Sequence, residues 1–232
     1  MDQAIKNYDN LLEMLDARLR EPKQFWETFY ENREKDIPFF QVKGPDENLI
    51  EYFNGEVQPG KVLELGCGPG RNAIFMAKKG CTVDALDISR NAIEWAKERA
   101  AEKGDEINFY CESIFDFPFE PGKYDFIYDS GLLHHLAPHR RITYLELIKS
   151  ALKPGGYFGL VCFNTDGALD TSDWDVYREG SLKGGIGYTE ERLREIFQDD
   201  FHVKRFRRMR KIIQPQEVFG EDFLWTSLMQ IK

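Results

Sequence analysis

The chain has 232 residues, of which 42% are hydrophobic and 18 are phenylalanine, enough apolar material for one sizeable core. Lys and Arg number 31 against 40 Asp and Glu, so the net charge is −9 and long-range electrostatics would repel a polyanion. This excess of acid argues against a nucleic-acid partner. Without a basic-then-apolar leader or a run of about 18 uncharged apolar residues, the sequence predicts a cytoplasmic protein with no membrane partner.

The four cysteines are widely spaced, and they show neither a C-x-x-C pair nor a histidine at metal-ligand spacing. Each lies in or beside an apolar run. We therefore expect reduced, half-buried thiols and no metal site. These cysteines are Cys67, Cys81, Cys111 and Cys162.

The first 58 residues predict a helical cover. Apolar side chains recur at helical spacing from Ile5 to Leu19, and the apolar-aromatic segment F-W-E-T-F-Y follows Pro22. One or two helices are expected here. Trp26 and Tyr30, four residues apart, could lie over a ligand, although such a pair also packs in plain cores.

From Lys61 onward, predicted strands alternate with helices. Such alternation indicates a doubly wound α/β fold with a mostly parallel sheet, whose ligand sites lie beyond the carboxyl ends of the strands. The expected strands are 61–65, 82–87, 107–112, 124–129, 157–163, 202–207 and 224–231. The expected helices are 72–79, one capped by Ser89, one from about Pro138 with Ile142, Leu145, Ile148 and Leu152 on one face, and 189–197.

The first predicted strand leads into the stretch V-L-E-L-G-C-G-P-G-R-N, residues 62–72. Its three glycines permit a tight turn and close approach of a ligand to the backbone. Arg71 stands where the dinucleotide fingerprint G-x-G-x-x-G has its third glycine, so that motif is incomplete. Glu64 would repel a pyrophosphate and attract a cation.

The second predicted strand ends at Asp87, 21 residues after Gly66. An acidic residue at about this offset accepts hydrogen bonds from ribose hydroxyls. A ribose, no pyrophosphate and a positive centre near Glu64 together describe S-adenosylmethionine, which carries an ammonium and a sulfonium.

Four stretches in order resemble the motifs of the class I S-adenosylmethionine-dependent methyltransferases. They are V-L-E-L-G-C-G-P-G, A-L-D-I-S, Y-D-F-I-Y-D-S-G-L-L-H-H-L and L-K-P-G-G-Y-F, within about residues 61–163. The resemblance implies a Rossmann-like, mostly parallel seven-stranded sheet with an antiparallel last strand. It also implies S-adenosylmethionine as cofactor and S-adenosylhomocysteine as product.

The resemblance also implies a set of cofactor-binding residues. The glycine loop would hold the methionine end, Asp87 the ribose, and the segment after the third strand the adenine, although Cys111-Glu112 stands where the family usually has Gly-Asp. Asp129 and Ser130 match the position nearest the reacting methyl. The full set is Glu64, Gly66, Cys67, Gly68, Gly70, Asn72, Asp87, Ile88, Glu112, Ser113, Ile114, Asp129 and Ser130, with Trp26 and Tyr30 as a cover.

The segments F-W-E-T-F-Y, I-P-F-F and A-P-H-R-R look similar to small-molecule thiol, thiopurine, halide and tellurite methyltransferases, which implies a small-molecule acceptor. A hydroxyl or amine acceptor profits from a base, and the candidates are Asp129, His134 and His135. Alternatively, one histidine caps the strand end and the other packs. Arg141 could bind an anionic acceptor, whereas Arg140 is expected on the surface.

We expect one domain with four parts: the cover at 1–58, a cofactor-binding core at 61–163, an acceptor lid at 164–188 and a C-terminal part at 189–232. The basic run 204–211 contains one aromatic residue, which favours an exposed strand over an RNA-binding patch. A non-catalytic S-adenosylmethionine-binding module is the main alternative function; an RNA methyltransferase and a nicotinamide-dependent oxidoreductase are less well supported. The sequence leaves the oligomeric state open.

Overall fold

The computed structural model describes residues 4–102, 104, 106–213 and 217–232. Its strands are β1 (Lys61–Leu65), β2 (Thr82–Asp87), β3 (Asn108–Cys111), β4 (Tyr124–Ser130), β5 (Leu152–Phe163), β6 (Phe201–Arg208) and β7 (Leu224–Ile231). In this part of the chain they form a seven-stranded sheet in the order β3-β2-β1-β4-β5-β7-β6. β1 to β5 are parallel, and β7 runs antiparallel to both of its neighbours. The Rossmann-like fold with an antiparallel last strand is confirmed.

The described residues of the cover form four helices, two in the segments predicted to be helical and two that were not predicted. They are α1 (Tyr8–Asp16), α2 (Pro22–Glu31), α3 (Pro38–Gln41) and α4 (Glu47–Phe53). The core and C-terminal part add α5 (Arg71–Lys78), α6 (Arg90–Ala101), α7 (Arg140–Ala151), α8 (Asp173–Glu179) and α9 (Glu190–Phe197), with a 3₁₀ turn at Leu133–His135. α8 lies in the segment expected to be irregular.

Helix caps follow the local sequence. The Ser89 hydroxyl accepts a hydrogen bond from the Ala92 N–H at the start of α6, as expected, and Thr189 does the same for Arg192 at α9. The predicted apolar face of α7 was wrong at one position: Ile148 and Leu152 are buried and Leu145 packs against the core, but Ile142 is 54% exposed. The buried side chains of α7 are Arg141, Tyr144, Ile148 and Ala151, so the buried face is rotated about the helix axis from the predicted one.

Hydrophobic packing covers both faces of the sheet. Successive strand residues point to opposite faces, so Leu63 packs with one cluster and Val62 with the other. The register aligns Leu65 of β1 with Leu86 of β2 and with Asp129 of β4. The loops that follow these three strands therefore meet at one edge of the sheet.

The basic run 204–211 is not a free cationic patch. Arg205 and Arg207 on β6 form ion pairs with Glu47, Glu51 and Glu56, the acids in and after α4. The pairs join the cover to the far edge of the sheet. The run is a strand, as predicted, but its arginines hold the cover in place.

The four cysteines are free thiols. Three are buried rather than half-buried, whereas Cys111 at the end of β3 is exposed. Over the described ranges, the side chains bring together no group of three or more His, Cys, Asp and Glu that could hold a metal ion. Of the helices in those ranges, none has the length and apolar character needed to cross a membrane.

Candidate active site

A cavity of about 440 Å³ lies beyond the carboxyl ends of β1, β2 and β4, under α2. This volume is within the usual range of small-molecule sites. Most of the cofactor-binding residues expected from the sequence line it, together with His134 and His135. They are Trp26, Tyr30, Glu64, Gly66, Cys67, Gly68, Asn72, Asp87, Ile88, Glu112, Ser113, Ile114 and Ser130. Gly70 and Asp129 lie outside this lining.

The glycine loop after β1 requires glycine for two reasons: its backbone angles, and the side chains that lie close to it. Gly66, Gly68 and Gly70 have φ of 65°, 51° and 76°, in the left-handed region. A Cβ on Gly68 would stand 2.9 Å from the Tyr30 hydroxyl, beside the cavity. A Cβ on Gly70 would instead stand 3.0 Å from the Cβ of Ala96, so Gly70 serves the packing of α5 against α6.

Glu64 presents an unsatisfied buried oxygen. The residue is 1% exposed, and its Oε2 has no hydrogen-bond partner among the described residues. Burial raises the pKa of Glu64 to about 8, helped by the negative charge of Asp46 and opposed by Arg71. An unpaired carboxyl oxygen at the cavity suits a cationic group, because a cation would satisfy the oxygen and favour its ionised form.

Asp87 is fixed by the backbone around it. Its Oδ2 accepts a hydrogen bond from the Gly68 N–H and its Oδ1 one from the Ser89 N–H, each at 2.9 Å. Burial raises the pKa of Asp87 to about 6, and these two N–H donors limit the rise. Each carboxylate oxygen has a second lone pair, so Asp87 can still accept hydrogen bonds from a diol in the cavity.

A buried polar group, here called the Asp46 cluster, comprises Asp46, Arg71, Asn72, Tyr128 and Ser130. The Asp46 carboxylate is fully buried and accepts hydrogen bonds from all four partners, including Tyr128 at 2.7 Å and Ser130 at 2.6 Å. Sequence reasoning missed Asp46, since nothing in P-D-E-N distinguishes a buried acid from a surface helix start. The cluster joins the cover to the ends of β4 and the glycine loop.

α2 carries Trp26 and Tyr30 across the glycine loop. The Trp26 ring packs edge-on to His135, with centroids 4.8 Å apart, and the Tyr30 ring stacks on Phe40 at 5.5 Å. Glu27 on the same helix accepts a hydrogen bond from the Ser89 hydroxyl at the start of α6. The two aromatic side chains therefore both pack in the cover and line the cavity.

His134 is held in one tautomer. Its Nδ1 accepts a hydrogen bond from the Phe163 N–H at 3.1 Å, which places the proton of the neutral ring on Nε2. The ring stacks on Phe163 with centroids 3.8 Å apart. Burial holds the pKa of His134 well below its usual range, so this side chain donates a hydrogen bond and does not take up a proton.

His135 lies half-buried beside its neighbour, and its environment differs. Burial and the charge of Arg20 lower the pKa of His135 to about 4, while the Gly184 backbone acts against that fall. The imidazole is therefore neutral near pH 7. Because this neutral ring lines the cavity, His135 can accept a proton from a bound group.

The Asp129 carboxylate is not part of the cavity lining. Its carboxylate accepts hydrogen bonds from the Leu132 and Leu133 N–H groups and from the Tyr144 hydroxyl. Burial raises its pKa to about 7, and these donors limit the rise. The side chain thus fixes the 3₁₀ turn that presents the two histidines.

The arginines at the start of α7 also lie outside the lining. Arg140 pairs with Asp16 of α1, and Arg141 is buried and pairs with Asp173 of α8. Arg140 is thus tied to the cover instead of lying free on the surface. Of the described residues in the expected lid, Gly167 lines the cavity.

Apart from Arg71, the remaining wall of the cavity is mostly apolar and includes five phenylalanines. Phe163 ends β5, and Phe219 and Phe223 precede β7. Phe219 reaches the site through a parallel bridge to Asp46, in which the Phe219 N–H donates to the Pro45 carbonyl. The sequence did not reveal these aromatics because they come from distant segments that carry no motif.

The sheet order and the glycine loop at the first strand end define a doubly wound, Rossmann-like fold with a nucleotide-type site. Residues 62–156 match the family of the methyltransferase domain. An uncharacterized methyltransferase of Synechocystis is 34% identical over 119 residues, which are 50% of this chain and 51% of that protein. The 2-heptyl-1-hydroxyquinolin-4(1H)-one methyltransferase of Mycobacteroides abscessus is 30% identical over 128 residues, or 55% and 56% of the two chains.

The chain spans about half the length of these two curated relatives. Human N-terminal Xaa-Pro-Lys N-methyltransferase 1 is 26% identical over 166 residues, 66% of this chain and 74% of that one. A similar solved structure is Burkholderia thailandensis 1,6-didemethyltoxoflavin-N1-methyltransferase with bound 1,6-didemethyltoxoflavin and S-adenosylhomocysteine, with a TM-score of 0.68 and 19% identity over 100% of this chain and 93% of that one.

The ordered motifs, the fold and the matched domain agree. Together they support a class I S-adenosylmethionine-dependent methyltransferase, with S-adenosylmethionine as its cofactor. The residues present fit that cofactor, since an orphaned Glu64 oxygen, a glycine cradle and Asp87 line a single cavity.

Proposed function

We propose that the protein is an enzyme that transfers a methyl group from S-adenosylmethionine to a small-molecule acceptor. One observation carries the proposal: the same cavity is lined by the unpaired Glu64 carboxyl, by the Asp87 carboxylate and by a cluster of phenylalanines. The two carboxyl groups suit the cofactor. The phenylalanines are not needed to bind it and are therefore available for an acceptor. Four free thiols are in line with a reducing, cytoplasmic setting.

The cofactor, when bound, supplies an electrophilic methyl group on a sulfonium. In the proposed arrangement, Glu64 binds the ammonium, Asp87 the ribose hydroxyls, and the segment 112–114 the adenine. Ser130 lies at the methionine end, and Trp26 and Tyr30 close the cavity from above. These residues align the donor and exclude water, which supplies most of what an in-line displacement needs.

The acceptor is proposed to lie against Phe163, Phe219 and Phe223. His134, with its proton fixed on Nε2, donates a hydrogen bond that orients the acceptor. His135, neutral at pH 7, takes the proton that a hydroxyl or amine acceptor loses as its bond to the methyl carbon forms. Asp129 acts on both histidines as a positioning residue, through the turn that it caps.

A small acceptor is favoured over a macromolecule by enclosure and charge. α2 lies across the cavity, and the net charge of −9 opposes nucleic acids. Two similar proteins are named for heteroaromatic small molecules, which an aromatic compartment would accommodate. The human relative is named for a protein N-terminus, so a peptide amine is the second acceptor class to test.

The first experiment is calorimetric titration with S-adenosylmethionine and, separately, with NAD. We expect binding of the former alone, weakened at least about tenfold in Asp87→Ala because a charged hydrogen-bond acceptor is lost. Asp166→Ala, which removes a carboxylate from an exposed ion pair with Arg208, is the matched control and should bind normally. Binding of NAD, or of neither ligand, would contradict the cofactor site.

The second experiment measures S-adenosylhomocysteine formation with thiols, hydroxylated heteroaromatics and an N-terminal peptide. Turnover with a small molecule supports the proposal, and turnover with the peptide alone would replace it by a protein methyltransferase. Tight cofactor binding without turnover of any acceptor would favour a non-catalytic binding module. His135→Asn should lower kcat and remove the acidic limb that a base with a pKa of about 4 gives to the pH profile, while His134→Asn should chiefly raise KM for the acceptor.

We further propose that the segment 164–188 forms the acceptor-side lid. It is anchored by hydrogen bonds from the Ile186 N–H to the His134 carbonyl and from the Trp225 indole to the Tyr188 carbonyl. Limited proteolysis should show slower cleavage near the exposed Trp174 when cofactor and acceptor are both bound. Equal cleavage rates with and without both ligands would exclude a closing lid.

A further inference from the structure

Among the described residues, the acidic side chains that line the cavity all come from the cofactor side. Glu64 is on β1, Asp87 ends β2 and Glu112 follows β3. On the acceptor side stand His134 and His135, and burial lowers the pKa of both, so their rings are neutral at pH 7. An acceptor would therefore meet two neutral rings instead of a carboxylate.

Arg71 is the basic residue of the described lining, and its charge is compensated inside the protein. Its side chain is 9% exposed, and Nη1 donates to the fully buried Asp46 carboxylate. The Phe219 ring covers the guanidinium, with 4.4 Å between the Cζ atom and the ring centroid. The described wall on the acceptor side thus presents no uncompensated charge to a ligand.

Aromatic rings line this part of the cavity from both the cover and the end of the sheet. Trp26 and Phe39 belong to the cover, and Phe163 and Phe223 flank the end of the sheet with their ring centroids 6.1 Å apart. The Phe163 ring also stacks on the His134 imidazole, which widens the flat surface. Flat ring systems gain most from contact with such surfaces.

The proposed lid fixes the position of these two phenylalanines. A Cβ on Gly167 would stand 2.8 Å from the Phe163 ring and 3.0 Å from the Phe223 ring. The lid backbone therefore packs directly against both rings, which limits how far they can turn to accommodate a ligand of another shape.

A charged acceptor would lose its hydration in this compartment and would find no partner of opposite charge. Burying an unpaired ion is far more costly than burying a neutral ring. A cationic acceptor would also be repelled by the sulfonium of the cofactor, which stands at the site of reaction. The lining thus disfavours ions of either sign.

We propose that the methyl acceptor is an uncharged, planar aromatic molecule that lies with its ring against Phe163 and Phe223 and its polar edge toward His134 and His135. The inference rests on the proposed function and narrows its acceptor class. The acceptor enters with its proton, which passes to His135 as the bond to the methyl carbon forms. The sulfur–carbon bond breaks in the same step, so an imidazolium replaces the sulfonium and the cavity gains no net charge.

The test compares four ligands that carry the same hydroxyl group. They are 1-naphthol, its saturated form decahydro-1-naphthol, 5-hydroxy-1-naphthoate and the corresponding 5-trimethylammonium compound. Calorimetry uses the protein saturated with sinefungin, an unreactive cofactor analogue whose amine keeps a positive charge at the methyl position. We expect 1-naphthol to bind about 3- to 10-fold more tightly than the saturated alcohol, and at least about 30-fold more tightly than either ion.

Phe223→Leu tests the aromatic wall. It should weaken the binding of 1-naphthol about 3- to 10-fold and change that of decahydro-1-naphthol less than about twofold, because only a planar ligand loses ring contact. Phe53→Leu is the matched control, since the Phe53 ring packs on Phe75 and Phe126 and is not part of the cavity lining. The control should keep all four affinities.

Three results would overturn the proposal. One is binding of either ion as tight as that of 1-naphthol, and another is a preference for the saturated alcohol. The third is a protein that binds sinefungin but none of the four ligands, which would leave the cofactor site intact and exclude this acceptor class. Failure to bind both sinefungin and S-adenosylmethionine would instead overturn the proposed function.

Discussion

At the scale of single residues, Glu64 links cofactor binding to the proton. Its pKa of about 8 leaves the carboxyl mostly protonated at pH 7, since burial and Asp46 both disfavour the charge. The incoming ammonium favours the ionised form and lowers this pKa, so binding expels the proton. Calorimetry at pH 7 in two buffers of different ionisation enthalpy should show release of about one proton per cofactor.

The Glu64→Gln variant should release no proton when the cofactor binds. The affinity of the wild-type protein for the cofactor should rise with pH until about pH 8 and then level off. A binding enthalpy that is independent of the buffer would contradict the ammonium contact at Glu64.

Gly68 offers a second test at this scale. Gly68→Ala forces a Cβ to 2.9 Å from the Tyr30 hydroxyl and strains a φ of 51°, so we expect cofactor affinity to fall about tenfold or more. Gly122→Ala is the matched control, because its φ of 62° carries the same strain but nothing lies within 4 Å of the new Cβ.

The control should lose about 1 kcal/mol of stability and no affinity. The double variant Gly68→Ala/Tyr30→Phe should regain part of the binding, because the hydroxyl that clashes is gone. Titration of the three variants with S-adenosylmethionine checks this, and normal binding by Gly68→Ala would contradict the tight cradle.

The cavity residues that could be predicted from the sequence share a property. Glu64 and Asp87 stand at fixed offsets from a strand end and a glycine, so local order predicts their place at the cavity. Asp46 and Phe219 lie far apart in the chain and meet only through a bridge formed by the tertiary fold. Their contribution could not be predicted, because it depends on how the cover docks.

At the scale of elements, the ion pairs between α4 and β6 should fix the cover to the sheet. Glu47 is buried and receives two N–H groups of Arg207 and the backbone N–H of Arg210. Arg207→Met leaves this carboxylate short of donors, so we expect a loss of about 1–3 kcal/mol of unfolding free energy. Urea denaturation measures it.

Arg208→Met is the control at the neighbouring position, since Arg208 and Asp166 are 49% and 60% exposed. Its cost should stay below about 0.5 kcal/mol. Equal costs for the two variants would show that the α4 pairs are no stronger than surface pairs.

Element positions were easier to predict than element faces. β1, β2 and β7 begin and end where the alternation of apolar residues placed them. The face of α7 was misjudged because its interior residues include Arg141 and Tyr144, whose polar ends are satisfied by Asp173 and Asp129. From the sequence alone, a polar side chain whose partner lies far away in the chain is predicted to be exposed.

At the scale of the molecule, we propose that the four segments unfold as one unit. His139 joins three of them: its Nε2 contacts Asp16 of α1 at 2.8 Å, and its Nδ1 contacts Tyr177 of α8 at 2.6 Å. Tryptophans lie in both the cover and the sheet, at Trp26 and Trp225. Fluorescence and circular dichroism should therefore give coincident urea transitions.

Two separate transitions would instead show that the cover and the sheet unfold independently, which would contradict the proposal. Trp26→Phe and Trp225→Phe, compared with each other, would show which part unfolds first.

The place of β7 in the sheet also sets an order of events during protein synthesis. β6 leaves the ribosome before β7, yet β7 lies between β6 and β5. Until β7 arrives, the nascent β6 has no partner, and the open side of β5 is a free edge that invites association with other chains. Arg205 and Arg207 can pair early with the acids of α4, which holds β6 near the growing sheet until β7 is made. The speed of translation through the segment between β6 and β7 should therefore affect the yield of folded protein.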